Sequence, residues 1–219
     1  MAPSLAFVHA TYAAVSPVES AFAEDWPEAS SISLLAEDLT RDLAAAGTQT
    51  PAIRARIMAL ADFAARAGVE GILFTCSAFA ESIEAAQNRL SIPVLKPNEA
   101  MFEEAIMHGG RIGMLVTFEP AIPSMTDEFS RMARRLDRDV TLETHFVPDA
   151  LAALNDGRPN EHHCLLAEAA ARLPCYDILM LAQFSMTGAA APIKSKTGAV
   201  VLSSPGSAIA KLKKVIEPS

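Results

Sequence analysis

The sequence predicts an α/β fold made of two pseudo-symmetric lobes, each a mainly parallel sheet flanked by helices. Three observations lead there. Short apolar runs alternate with longer segments of helical periodicity, the pattern of strand–helix–strand units. Several runs are apolar without interruption, as strands buried on both faces are. Four elements also recur at one offset of 107 positions, so the 219-residue chain reads as one unit written twice.

Taken in order, LAFVH (5–9) opens the chain as a strand. The acidic stretch EDWPEAS (24–30) reads as a solvated loop leading into a helix, or as a lid over a site. Residues 31–46 read as a helix stopped by Gly47. Pro51 suits the first turn of a helix that runs to Ala67 and stops at Gly68. EGILF (70–74) and IPVL (92–95) read as strands separated by a helix over 79–90, with another helix over 98–108. RIGMLV (111–116), VTLETHF (140–146), YDILML (176–181) and AVVL (199–202) continue the strands. Helices are expected over 121–136, 160–172 and 206–216. The 107-residue offset relates Phe7-Val8 to Met114-Leu115, Cys76 to Gln183, and Val94-Leu95 to Val201-Leu202. It also relates the helices near 53–67 and 160–174. The expected division is residues 1–97 plus 206–219 in the first lobe and 98–205 in the second.

Composition narrows the function. Hydrophobic residues make up 51% and charged residues 20%, which suits neither a disordered chain nor a coiled coil. A formal charge of −8 and a pI near 5.1 oppose non-specific nucleic-acid binding, which wants a basic face. No apolar run reaches the roughly 18 residues that span a bilayer. MAPSLAFVHATYAAVSP lacks a basic leading region, so Leu5–His9 reads as a buried strand and not as a signal peptide. Three cysteines form neither a metal spacing nor a paired framework. A reduced, cytoplasmic protein without membrane or nucleic-acid partners is expected.

The informative stretch is GILFTCSAFAES (71–82). A buried strand ends in Cys76, followed by small residues and a helix start. Such a thiol can be a small buried hydrophobe. The corner also offers backbone N–H groups and a helix N-terminus, which favour an anion and can lower a thiol pKa. The same donors, from Ser77 and from Ala78 after it, can hold a carboxylate. Duplicated lobes would turn equivalent strand ends toward a shared cleft, where open α/β sheets bind ligands. Gln183 then stands opposite Cys76, with Ser185 beside it as a donor or an N-cap.

Thr117 and His9 occupy the ends of the two opening strands. The Thr117 hydroxyl can hold a carboxylate or a developing enolate, and His9 can titrate near neutral pH or serve structurally. Glu119 is a nearby base or an ordinary exposed loop residue. Asn98 contacts substrate or caps a helix. His162 and His163 are adjacent and diverge on a helix, which opposes a metal site. His108 and His145 read as ordinary surface or strand residues. Cys164 sits in an apolar helical pattern as core filler, and Cys175 lies at the wrong end of its strand. No glycine-rich phosphate loop is present, and KLKK (211–214) reads as the polar side of a terminal helix.

TCSAF after a buried strand, IPVLKPNEAMFEEA (92–105), IGMLVTFEP (112–120) and VVLSSPGSAIAKL (200–212) together resemble the aspartate/glutamate racemase superfamily. That group includes amino-acid and hydantoin racemases, maleate isomerases and arylmalonate decarboxylases. The resemblance implies paired α/β lobes with a cofactor-independent site between them, a small carboxylate substrate, Cys76 as catalytic thiol, and an assembly that can be a homo-oligomer. It also exposes a departure. Two-base racemases of this kind carry a second cysteine where this chain has Gln183. An amide exchanges no proton near neutral pH but can hydrogen-bond a carboxylate. The expectation is therefore a racemase/isomerase-superfamily enzyme with one catalytic cysteine and no metal or cofactor, with substrate contacts from His9, Ser77, Ala78, Asn98, Thr117, Gln183 and Ser185. Symmetric racemisation is disfavoured. A decarboxylase-type lyase and a non-catalytic carboxylate binder are the alternatives.

Overall fold

The structure is a computed structural model that describes residues 2–218. It resolves into two compact units, Met1–Ala100 with Ala208–Ser219, and Met101–Ser207.

The first unit holds β1 (Ser4–His9), α1 (Val15–Asp25), β2 (Ser30–Leu35), α2 (Asp38–Ala46), α3 (Pro51–Arg66), β3 (Gly71–Phe74), α4 (Ala80–Arg89) and β4 (Val94–Leu95). Its four strands are all parallel, in the order β2-β1-β3-β4. The chain leaves this unit early in α5 (Glu99–His108). The second unit continues with β5 (Ile112–Val116), α6 (Ile122–Arg135), β6 (Leu142–Phe146), α7 (Pro148–Asn155), α8 (Pro159–Ala171), β7 (Ile178–Leu181), α9 (Ala190–Thr197) and β8 (Val200–Ser203). Its strands are also parallel, in the order β6-β5-β7-β8. α10 (Ser204–Ile216) returns the chain to the first unit. Two four-stranded parallel sheets flanked by helices are thus the α/β architecture expected.

The repeat is visible in the strand register. Leu5 pairs with Gly71 in the first sheet, and Ile112 pairs with Ile178 in the second. Ile72 pairs with Val94, and Leu179 with Val201. Each partner moves by 107 positions. The edge strand departs from this: Leu5 faces Ser31 but Ile112 faces Leu142, so the second unit has gained four residues before its edge strand.

The central strands are buried throughout, which explains their uninterrupted apolar runs. On one side of the first sheet, Ala6, Val8, Ile72 and Phe74 pack with Ile53, Ile57, Ala61 and Ile83 from α3 and α4. Gly71 has a packing reason. A Cβ there would stand 3.0 Å from Leu212 and Ile216 of α10, so the missing side chain lets the terminal helix lie against β3. In the second unit Met114, Val116 and Met180 face Phe102, Phe129 and Met132, while Leu115, Leu179 and Leu181 face Leu166, Ala170 and Ile193.

Three sequence expectations need correction. Residues 31–46 are not one helix: Ser30–Leu35 is a strand and α2 begins at Asp38. EDWPEAS is not simply a solvated loop, because Trp26 is fully buried, edge-on to Phe22 at 6.3 Å. Lys213 of α10 fixes this segment through Glu28 at 2.7 Å and lies 5.7 Å from the Trp26 ring centroid. Cys164 is exposed and does not fill the core; the buried residue of that turn is His162. Among the described residues no helix is long and apolar enough to cross a membrane.

Candidate active site

A strand order of 2-1-3-4 has its topological switch point between strands 1 and 3, where doubly wound sheets hold ligands beyond their strand ends. In the first unit that point lies between β1 and β3, and in the second between β5 and β7. The residues singled out by the sequence end these four strands.

At the first switch point, His9 is the last residue of β1 and is completely buried. Its Nδ1 lies 3.1 Å from Thr75 Oγ1, and the Thr75 hydroxyl lies 3.4 Å from Val8 O. A hydroxyl that donates to the carbonyl accepts from the ring, so Nδ1 carries the proton. Nε2 is then left as a lone-pair acceptor with no partner among the described residues. Burial lowers the His9 pKa, and the carboxylate of Glu19 only partly offsets this, so the ring is held neutral.

Cys76 follows in extended conformation, ahead of a 3₁₀ turn over Ser77–Phe79 and then α4. Its side chain is half-buried, as is Ser77, and Ala78 is exposed. The corner could lower the thiol pKa, but desolvation by burial raises it, and the hydrogen bond with the Ala78 backbone only partly opposes the rise. The corner has a brace that sequence reading missed. Gln49 donates from Nε2 to Ala78 O at 3.0 Å and accepts from Ser82 Oγ at 2.5 Å. Neither contact leaves a sequence signal, because the partners stand 29 and 33 positions apart.

The second switch point is built differently. Thr117 follows β5 and is buried, and Gln183 closes the run after β7. Gln183 Oε1 accepts from Thr117 N at 2.9 Å and from Thr117 Oγ1 at 3.2 Å. An N–H can meet only an acceptor, so this bond fixes the amide orientation. Both Nε2 protons are left to donate elsewhere. The 3₁₀ segment Phe184–Ala189 follows, with Ser185 half-buried. His163 of α8 supports it: the ring hydrogen-bonds the Ser185 backbone and packs so close to Gly188 that its atoms stand 2.3–3.0 Å from where a Cβ there would be. Sequence reading considered His163 only as a metal ligand.

Asn98 is buried immediately before α5. Glu99 beside it is also buried and satisfied by Gln87 Nε2, Lys96 N and Lys211. Glu119 is exposed at the start of a 3₁₀ turn. His145 is more than an ordinary strand residue, since Nε2 lies 2.6 Å from Tyr176 Oη, which donates to Glu143. Cys175 is exposed and precedes β7, as expected. Among the described residues no group of three or more His, Cys, Asp or Glu side chains is placed to hold a metal ion.

The fold agrees with the comparisons. The family model for Asp/Glu/Hydantoin racemase matches residues 8–133, and the chain belongs to that family. The match runs from β1 into α6 and ends before Gln183. No curated protein matches the chain. Among solved structures, Picrophilus torridus aspartate racemase superposes with a TM-score of 0.72 at 12% identity, over 98% of this chain and 94% of that one. Glutamate racemase isoform RacE1 from Bacillus anthracis gives 0.70 at 16%, over 98% and 82%. Unliganded arylmalonate decarboxylase gives 0.65 at 12%, over 99% and 94%. At such identities the likeness is one of fold.

Proposed function

We propose that the chain is a cofactor-independent enzyme acting on a small carboxylate, with Cys76 as its single catalytic thiol. One observation carries the reading. Cys76 and Gln183 occupy the same station after β3 and β7, 107 positions apart, yet only the first can exchange a proton. The second has its amide oxygen committed to Thr117 and its N–H groups free to donate. Donors at Ser77, Ala78, Gln183 and Ser185 would hold the carboxylate and stabilise an enolate-like state, with His9, Asn98 and Thr117 completing the contacts. Symmetric two-base racemisation is disfavoured because an amide cannot take the place of the second acid.

A single thiol serves one-sided chemistry, either addition to a double bond, as in cis–trans isomerisation, or delivery of one proton. The raised pKa of Cys76 favours the second, since a thiol that stays protonated at neutral pH is an acid. In a decarboxylase-type reading the C–C bond to the leaving carboxylate breaks and its electrons enter the enolate. The Cys76 proton then goes to carbon, and solvent restores the thiol.

The test is incubation with candidate small acids in D₂O followed by NMR, for the wild type and Cys76→Ala. Turnover that vanishes in the variant is expected. Deuterium entering an existing stereocentre on both faces, without loss of CO₂, would overturn the role given to Gln183. Saturable carboxylate binding without any turnover would assign the chain to the non-catalytic binders.

A further inference from the structure

The second unit carries a cavity of about 380 Å³ beyond the ends of β5 and β6. Thr117, Phe118 and Glu119 supply one wall, Phe146 another, and Pro148, Leu151, Ala152 and Asn155 of α7 the third. Two features set it apart. Phe118 and Phe146 are 50% and 40% exposed, large apolar surface left uncovered at a strand-end crevice. The lining contains one acid, Glu119, and no lysine or arginine. It is also continuous with the site already described, because Thr117 both lines the cavity and holds Gln183.

We infer that this cavity receives the substituent of the substrate and selects a neutral apolar or aromatic one. The inference rests on the carboxylate-site reading given above. A carboxylate held by the Thr117–Gln183 corner would lay its substituent along Phe118, Phe146 and Leu151. A phenyl-sized group fits the volume and removes apolar surface from water on both sides. A carboxylate carried on the substituent itself would instead meet Glu119 with no cation in the lining to offset the repulsion, so acids with a charged substituent are rejected. Phe118, Leu151 and Ala152 are specificity residues in this arrangement, and Glu119 excludes anions.

The experiment measures dissociation constants of acetate, phenylacetate and glutarate by NMR titration for the wild type, Ala152→Trp and Glu119→Lys. Ala152 is exposed, so the indole enters the cavity without disturbing the core. Phenylacetate is expected to bind at least about tenfold more tightly than acetate, the worth of burying part of a phenyl ring. Glutarate should bind no better than acetate. Ala152→Trp should remove the phenylacetate advantage and leave acetate unchanged, and Glu119→Lys should raise glutarate affinity severalfold. Acetate bound without preference for phenylacetate, or a preference surviving Ala152→Trp, overturns this inference alone. Failure of all three acids to bind overturns the carboxylate-site reading and this inference with it.

Discussion

Replacing Gly188 with alanine tests how the Gln183 corner is held. A Cβ at that position would stand 2.3 Å from His163 Cε1, 2.7 Å from Nε2 and 3.0 Å from Nδ1. Ordinary carbon contacts begin near 3.5 Å, so the imidazole must leave its seat. The backbone itself accepts alanine, because Gly188 is not among the glycines with positive φ. His163 is only half-buried and can swing outward, which places the cost toward the lower part of the overpacking range, about 1–2 kcal/mol. That figure includes the hydrogen bond to the Ser185 backbone, worth about 1 kcal/mol. The sign should reverse once the ring is gone. In a His163→Ala background, Gly188→Ala meets no imidazole and reduces only the freedom of the unfolded chain, a gain of about 0.4–1 kcal/mol. Urea unfolding of the four proteins, followed by circular dichroism, measures this cycle. A Gly188→Ala cost that persists unchanged without the ring would refute the His163 seat.

Thr117→Val removes the hydroxyl donor to Gln183 but keeps the backbone N–H bond, and should cost about 1 kcal/mol in urea unfolding. Gln183→Ala strands both Thr117 donors and should cost more, about 1–3 kcal/mol; equal costs would contradict the shared acceptor. Gln49→Ala should quicken alkylation of Cys76 by loosening the corner it braces, measured against exposed Cys164 and Cys175 in the same protein. The pH profile of that alkylation should have its midpoint above the ordinary thiol value of about 8.5, since burial raises the Cys76 pKa. His9, His145 and His163 are all depressed by burial, so the unfolded chain binds their protons first. Their contribution to stability is therefore intact above pH of about 6.5 and lost as pH falls through it, by up to about 1.4 kcal/mol per pH unit for each ring. His9→Gln should flatten the acid limb of a stability–pH curve.

What the sequence revealed depended on which strands are buried on both faces. β1, β3, β5 and β7 are continuous apolar runs because helices cover each sheet twice, and all four were readable. β2 was not. It is an edge strand whose residues alternate between exposed and half-buried, and it is held by backbone pairing to β1. Its Ile32 and Leu34 fall at spacings that merge with the Leu39 and Leu43 face of α2, so strand and helix read as one element. The short helices α7 and α9 escaped for a related reason, since eight residues give little room for periodicity to declare itself. Trp26 shows the opposite error. Its acidic neighbours suggested solvent, but burial belongs to the indole alone, with Lys213 arriving from the far end of the chain to lie near it.

The candidate site was legible only along single strands. Cys76, Thr117, His9 and Gln183 could be placed because each ends a strand, and the 107-residue register fixed which stations correspond. Their partners were hidden, because His9 meets Thr75 across 66 residues and Thr117 meets Gln183 across another 66. The two pairs are displaced by 108 positions, one more than the 107-residue offset, so they are neighbouring and not equivalent stations of the repeat. In both units a strand-1 end bonds to a strand-3 end at the switch point, but one link is imidazole to hydroxyl and the other is threonine to amide. Duplication supplied the strand ends twice and left the chemistry free to diverge at each copy. Divergence at either copy needs only substitutions at strand ends, where the buried registers that stabilise each sheet remain untouched.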